Sequence, residues 1–108
     1  VIVKVKVCAI CGSDLHVYHE HEKGIDHGCA MGHEFSGEVV AIGKEVKSLR
    51  VGDLVMSPFT VSCGNCFYCK IGLTARCIHS QLFGWRENNR GLHGGQAEYV
   101  RVPLADSS

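Results

Sequence analysis

Four cysteines, Cys63, Cys66, Cys69 and Cys77, are spaced C-x2-C-x2-C-x7-C, which brings four soft sulfur ligands within reach of a single metal ion. Thiolate sets of this kind hold Zn2+ tetrahedrally with every position filled, and such a site steadies a fold instead of reacting. The intervening residues suit a wrapped ion, since Gly64 and Asn65 let the backbone curl and Gly72 permits the reversal that returns Cys77 to the other three. An iron–sulfur run of the bacterial kind would close with C-x3-C-P, whereas seven residues separate Cys69 from Cys77 and Ile78 follows. A zinc module for nucleic acid would bring a basic face, and Lys70, Arg76 and Arg86 are too few and too dispersed to make one. Disulfides remain the plain reading of any cysteine-rich stretch.

A second set of reactive side chains lies nearer the start, in Cys11-Gly12-Ser13-Asp14-Leu15-His16 and Gly32-His33-Glu34. A thiolate at Cys11 and an imidazole at His33 are two of the three protein ligands an open zinc site needs, with Glu34 alongside as an oxygen ligand or outer carboxylate. Taken singly, a cysteine is as readily a small buried residue and a histidine a hydrogen-bonded one, so spacing alone leaves both readings open. His19, His21 and His27 fall in a polar stretch that reads as a solvated loop, and Cys8 and Cys29 read as packing or loop residues.

The elements that must position these groups are mostly strands. Val1, Val3, Val5 and Val7 alternate with Ile2, Lys4, Lys6 and Cys8, a period of two that places the odd valines on one sheet face and the lysines on the other. Residues 11–20 break that alternation and predict a short helical turn, with Ser13 or Asp14 as its cap. Strands are expected over 35–43, 51–56 and 96–102, each bounded by glycine or proline. The segment from Trp85 to Arg90 is turn-rich and reads as a surface loop, with the lining of a substrate cleft or a contact to a neighbouring subunit as the alternatives. Val1, Val3, Val5, Val39, Val40, Ile42 and Val55 are the expected core. Thirteen glycines, two prolines and several short strands predict a mainly β fold, an irregular barrel with short helices and the cysteine lobe as excursions.

Composition bounds the function. The 108 residues suffice for one domain with a modest core, and eleven basic residues balance eleven acidic ones, which gives no electrostatic reason to expect nucleic acid or an anionic membrane. No segment approaches the ~20 apolar residues of a membrane span. Seven cysteines in metal-ligand spacing favour a reducing compartment, the cytoplasm or an organelle matrix. The first residue, Val1, already lies in a strand-like run, which predicts that residues 1–108 are a portion of a longer polypeptide.

Five strings occur here in one order: Cys11-Gly12-Ser13-Asp14-Leu15-His16, Gly32-His33-Glu34-Phe35-Ser36-Gly37-Glu38-Val39, Val51-Gly52-Asp53-Leu54-Val55, the four-cysteine lobe, and Gly94-Gly95-Gln96-Ala97-Glu98-Tyr99. In that order they resemble the GroES-like catalytic domain of the zinc-dependent medium-chain alcohol dehydrogenases, over essentially the whole chain and nearest the polyol, threonine or formaldehyde dehydrogenase branches. The resemblance implies that Cys11 and His33 are ligands of a catalytic zinc, with Glu34 as a transient or outer carboxylate, and that Cys63, Cys66, Cys69 and Cys77 hold a structural zinc. It implies that Ser13 hydrogen-bonds the substrate hydroxyl, that His16 stands toward the solvent end of a proton relay, and that Asp14 orients a zinc ligand. Zinc as a Lewis acid lowers the pKa of an alcohol, and NAD or NADP takes the hydride. The family draws a third catalytic ligand from sequence beyond residue 108, and no G-x-G-x-x-G marks a Rossmann domain here. By itself, then, the chain is expected to be inactive. The resemblance further implies a small alcohol or aldehyde as substrate and a homodimer or homotetramer as the assembly. A non-enzymatic GroES-like module stabilised by zinc is the competing reading.

Overall fold

The computed structural model describes residues 1–108. Strands are its principal regular elements: β1 (Ile2–Cys8), β2 (Phe35–Ala41), β3 (Leu54–Met56), β4 (Trp85–Glu87), β5 (Arg90–Leu92) and β6 (Tyr99–Arg101). Four of them form an open antiparallel sheet in the order β3-β2-β1-β6, and β4 and β5 form a separate hairpin. Two short helices, α1 (Gly12–Tyr18) and α2 (Phe67–Lys70), and a 3-10 turn at Thr74–Arg76 complete the set. The mainly β expectation holds, with an open, irregular sheet in place of a closed ladder.

The first strand keeps its predicted alternation only in part. Lys4 and Lys6 face solvent as expected, and Lys6 pairs across the sheet with Glu38 at 3.1 Å. Val3 is fully buried, but the register against β2 shifts between Val5 and Val7, so Val7 turns outward and is 64% exposed. An irregularity of that kind re-aims every side chain beyond it, because the strand period is two.

The core is a cluster of Val3, Phe35, Val61, Phe83, Leu92, Val100 and Val102, in which the Phe35 and Phe83 rings meet edge to face at 5.1 Å. Of the valines and isoleucine expected there, Val3 and Val39 are buried and Val1, Val5, Val40 and Val55 are half-buried. Ile42 is not core: β2 ends at Ala41, and the side chain beyond it is 45% exposed. The two strands read over 51–56 and 96–102 are shorter than expected, because a turn at Val51–Gly52 precedes one and the bends before Tyr99 precede the other.

The segment from Trp85 to Arg90 is a hairpin, not a surface loop. Its turn is Asn88-Asn89, both with positive φ (53° and 62°), the conformation a two-residue hairpin needs and one that asparagine adopts more easily than most residues. Asp26 fixes the turn from outside, accepting the Asn88 and Asn89 backbone N–H groups at 2.9 and 2.8 Å. The cysteine lobe is rooted on the core in a similar way. Thr60 and Leu82 form a bridge at its base, the Val61 N–H donates to the Gln81 carbonyl, and the Phe83 N–H donates to the Phe59 carbonyl.

The surface is large and apolar in places. It measures 7150 Å2, against about 5,900 Å2 expected for a folded monomer of this mass. Leu54, Met56 and Phe67 are respectively 79%, 83% and 69% exposed.

Candidate metal centres

Antiparallel pairing of β1 with β2 assembles the first site. Cys8 pairs with Phe35, and the Ala9 N–H donates to the Glu34 carbonyl at 2.8 Å, so the two strands run side by side to their ends. Just past those ends lie Cys11, leaving β1, and His33 and Glu34, entering β2. Their ligand atoms, one from each residue, lie within 4.8 Å of one another and line the same cleft. A zinc ion with bonds of about 2.0 to 2.3 Å accommodates such a trio and leaves a tetrahedral position free.

Helix α1 supplies the supports. Its N-cap is Cys11, a correction to the expectation of Ser13 or Asp14, and Asp14 at the third helical position reaches back to accept the Cys11 N–H at 2.8 Å. The other oxygen of this buried carboxylate lies 3.7 Å from Nδ1 of His33. Asp14 therefore steadies the backbone of one candidate ligand and the ring of the other. Since Nδ1 faces a carboxylate, Nε2 is the nitrogen left for a metal. Ser13 Oγ lies 3.2 Å from that Nε2, at the mouth of the site. His16, one turn further along the helix, is exposed, and its Nδ1 stands 3.7 Å from Glu22; no direct hydrogen bond links it to Ser13. His19, His21 and His27 are exposed, in keeping with a solvated loop.

The loop carrying His33 is held by close backbone packing that the sequence did not reveal. The Gly94, Gly95 and Gln96 N–H groups donate to the carbonyls of Ala30, Gly32 and Met31 at 2.7 to 2.9 Å. A Cβ on Gly94 would collide with the Met31 and Gly32 carbonyl oxygens, and one on Gly32 would fall 2.6 Å from Cys8 Sγ. Gly94→Ala is accordingly expected to lower stability by about 1–3 kcal/mol, the usual cost of overpacking, and to weaken metal retention by displacing His33. Denaturant unfolding beside metal analysis checks this, and an unchanged midpoint would contradict it.

A cleft of about 640 Å3 opens on the trio, walled by Val7, Cys8, Phe35, Met56 and Phe59, with Ser36 and Ser57 as polar points. The volume and mostly apolar wall suit a small organic molecule. Val7 reaches this wall because of the β1 irregularity. Burial, reinforced by the negative charge of Asp14, pushes the Cys8 thiol up from its ordinary value, which keeps Cys8 protonated beside the site. Burial likewise raises Cys29.

In the lobe, the four sulfurs of Cys63, Cys66, Cys69 and Cys77 also lie within 4.8 Å of one another, and none of the seven cysteines is in a disulfide. Tetrahedral zinc with bonds of about 2.3 Å places its sulfurs roughly 3.8 Å apart, so the cluster fits the ion closely. Backbone N–H groups already point at these sulfurs: Cys63 and His79 donate to Cys77 Sγ at 3.3 Å, and Cys66 donates to Cys63 Sγ at 3.4 Å. Such bonds favour the thiolate. Backbone donors from Cys69 and Ile78 bring Cys66 down to about 6, those from Asn65 and Cys66 lower Cys63, and desolvation lifts Cys69 to about 11. Loading the lobe displaces the remaining protons, so metal binding strengthens as pH rises.

These two centres sit in a chain whose residues 1–107 match the family model described as the alcohol dehydrogenase GroES-like domain. The chain is 56% identical over its whole length to the medium chain reductase/dehydrogenase ucsI of Acremonium sp, covering 36% of that protein. It is 52% identical over its whole length to zinc-type alcohol dehydrogenase B of Aspergillus flavus, covering 24%. In structure it is similar to alcohol dehydrogenase TADH from Thermus sp. ATN1, with a TM-score of 0.89 and 39% identity over 97% of this chain and 30% of that one. The chain thus spans about a quarter to a third of the proteins it matches, and it belongs to the alcohol dehydrogenase GroES-like domain family.

Proposed function

We propose that this chain is the metal- and substrate-binding portion of a zinc-dependent oxidoreductase that moves hydride between a small alcohol or aldehyde and NAD or NADP. The observation that carries the reading is the trio Cys11, His33 and Glu34 at the mouth of an apolar cleft, with Asp14 buried behind two of the three. A module serving only folding has no use for an open donor set beside a cleft, and the names of the relatives agree with an enzyme.

In this reading Cys63, Cys66, Cys69 and Cys77 hold the structural zinc, and Cys11 and His33 hold the catalytic one with Glu34 as a transient or outer carboxylate. When bound, the catalytic zinc supplies Lewis-acid polarisation of the substrate oxygen. Ser13 takes a hydrogen bond from the substrate hydroxyl and hands its proton onward, since a serine cannot hold the charge itself. His16 lies on the same face one turn along and releases the proton to solvent, steadied by Glu22. Val7, Phe35, Met56 and Phe59 offer the carbon chain an apolar wall.

The nicotinamide domain and a further zinc ligand belong, in this proposal, to the remainder of a longer polypeptide. The excess surface and the exposed Leu54 and Met56 support a covering domain. A homodimer or homotetramer and a cytoplasmic or matrix location complete the reading, the latter supported by seven unpaired cysteines. No helix here is long and apolar enough to cross a membrane.

The test is NAD(P)-linked absorbance with primary alcohols, secondary alcohols, polyols and formaldehyde, on the complete enzyme and on residues 1–108. Turnover is expected from the first and none from the second. Robust turnover by residues 1–108, or none by the zinc-loaded complete enzyme with any of these substrates, would overturn the assignment.

A further inference from the structure

Away from both metal centres, the hairpin and the sheet edge enclose a cavity of about 530 Å3, with Arg86, Asn89 and His93 on one side and Tyr99 and Arg101 on the other. No aspartate or glutamate lines it. Neither arginine has a carboxylate partner, since the three ion pairs of the molecule involve Lys6, His16 and His33.

The hydrogen bonding of His93 sharpens the point. Its Nδ1 faces the Ala30 backbone N–H at 3.1 Å, and a neutral imidazole has one nitrogen lone pair to offer. Nε2 in turn lies 2.8 Å from Arg86 Nη1, a group that can only donate. The ring can therefore accept from Arg86 or from Ala30 but not from both, and one of these donors is left without a partner on it. Beyond that contact, Arg86 Nη2 donates to the Asn89 carbonyl at 3.4 Å, and the other guanidinium N–H groups have no partner.

We propose that this cavity binds an oxyanion of the phosphate class, whose oxygens accept from the unpartnered N–H groups of the Arg86 guanidinium beside His93, with Arg101 supplying further positive charge. A tetrahedral anion meets the planar fork of arginine through parallel N–H···O bonds, an arrangement well suited to phosphate. The site is joined to the rest of the molecule through Ala30, which it grips at one end and which leads three residues later to His33. This proposal stands apart from the dehydrogenase reading and survives its failure.

The experiment is a titration of zinc-loaded protein with inorganic phosphate, followed by amide and imidazole NMR. Saturable shifts at the Ala30 amide and the His93 ring are expected. Arg86→Gln should weaken binding by about tenfold, the loss of a charge-assisted hydrogen bond, and Arg101→Gln by less. The same spectra report whether each variant is folded. Cys11→Ser should leave the affinity unchanged, which separates this site from coordination of phosphate at the open metal centre. Absence of saturation, an affinity indifferent to both arginine changes, or binding lost in Cys11→Ser would overturn the proposal.

Discussion

Cys63→Ser is expected to empty the lobe of its metal and to cost the protein most of its folding stability. Zinc binding by structural sites in small peptides is worth about 10 to 16 kcal/mol, and much of it is folding free energy. A domain of ordinary stability has only about 5–15 kcal/mol in total. The lobe has little else to hold it. Its helix α2 is four residues long, its 3-10 turn is three, and Phe67, Ile71, Leu73 and Ile78 are each more than half exposed. Cys77 is the one buried residue between Cys63 and Ile78. Because the lobe grows from Thr60 and Leu82, directly beside the core residues Val61 and Phe83, its collapse would loosen the core as well. Element-resolved metal analysis with thermal unfolding checks the prediction. One zinc should disappear and the unfolding midpoint should fall sharply, whereas a retained zinc with an unchanged midpoint would refute the structural role. Iron with sulfide in the unmodified protein would refute zinc itself.

The reason the lobe was readable in advance is that its ligand spacing is local: four sulfurs within fifteen residues fold onto one ion almost irrespective of what surrounds them. The open site is a different case. Cys11 and His33 are separated by a loop that spacing does not constrain, and they meet because β1 and β2 pair in a register that brings both strand ends together. Resemblance named those residues; only geometry showed why Asp14 matters, since its contacts run to a backbone N–H three residues back and to a ring nineteen residues ahead. Other features were hidden for similar reasons. The core residues Phe83, Leu92 and Val102 lie in short strands or outside them, where no periodicity can develop. The Asn88-Asn89 turn carried a local signal, two adjacent residues tolerant of positive φ, which marks a hairpin when short β-prone runs flank it. The β1 irregularity had none, and it turned Val7 away from the face of the other odd valines and into the cleft wall.

His33→Ala and Asp14→Ala, made in the complete enzyme, should separate a ligand from the residue that holds it. His33→Ala removes an imidazole donor from the trio and is expected to reduce turnover to background while sparing the lobe zinc and the unfolding midpoint. Asp14→Ala leaves every donor in place but deprives the Cys11 N–H of its acceptor and the His33 ring of its carboxylate. Loss of such an outer partner commonly costs about 10–100-fold in metal affinity or activity, so partial activity recoverable with added zinc is the expected result. Asp14→Asn keeps an acceptor for Cys11 and should fall between Asp14→Ala and the unmodified enzyme. The ordering matters more than any single value: a metal held by Cys11 and His33 requires His33→Ala to be the most damaging, Asp14→Ala next and Asp14→Asn mildest. Turnover unchanged in His33→Ala would remove the catalytic assignment altogether. Equal loss in all three variants, with the lobe zinc also gone, would mean instead that this corner of the fold is needed for folding and not for chemistry.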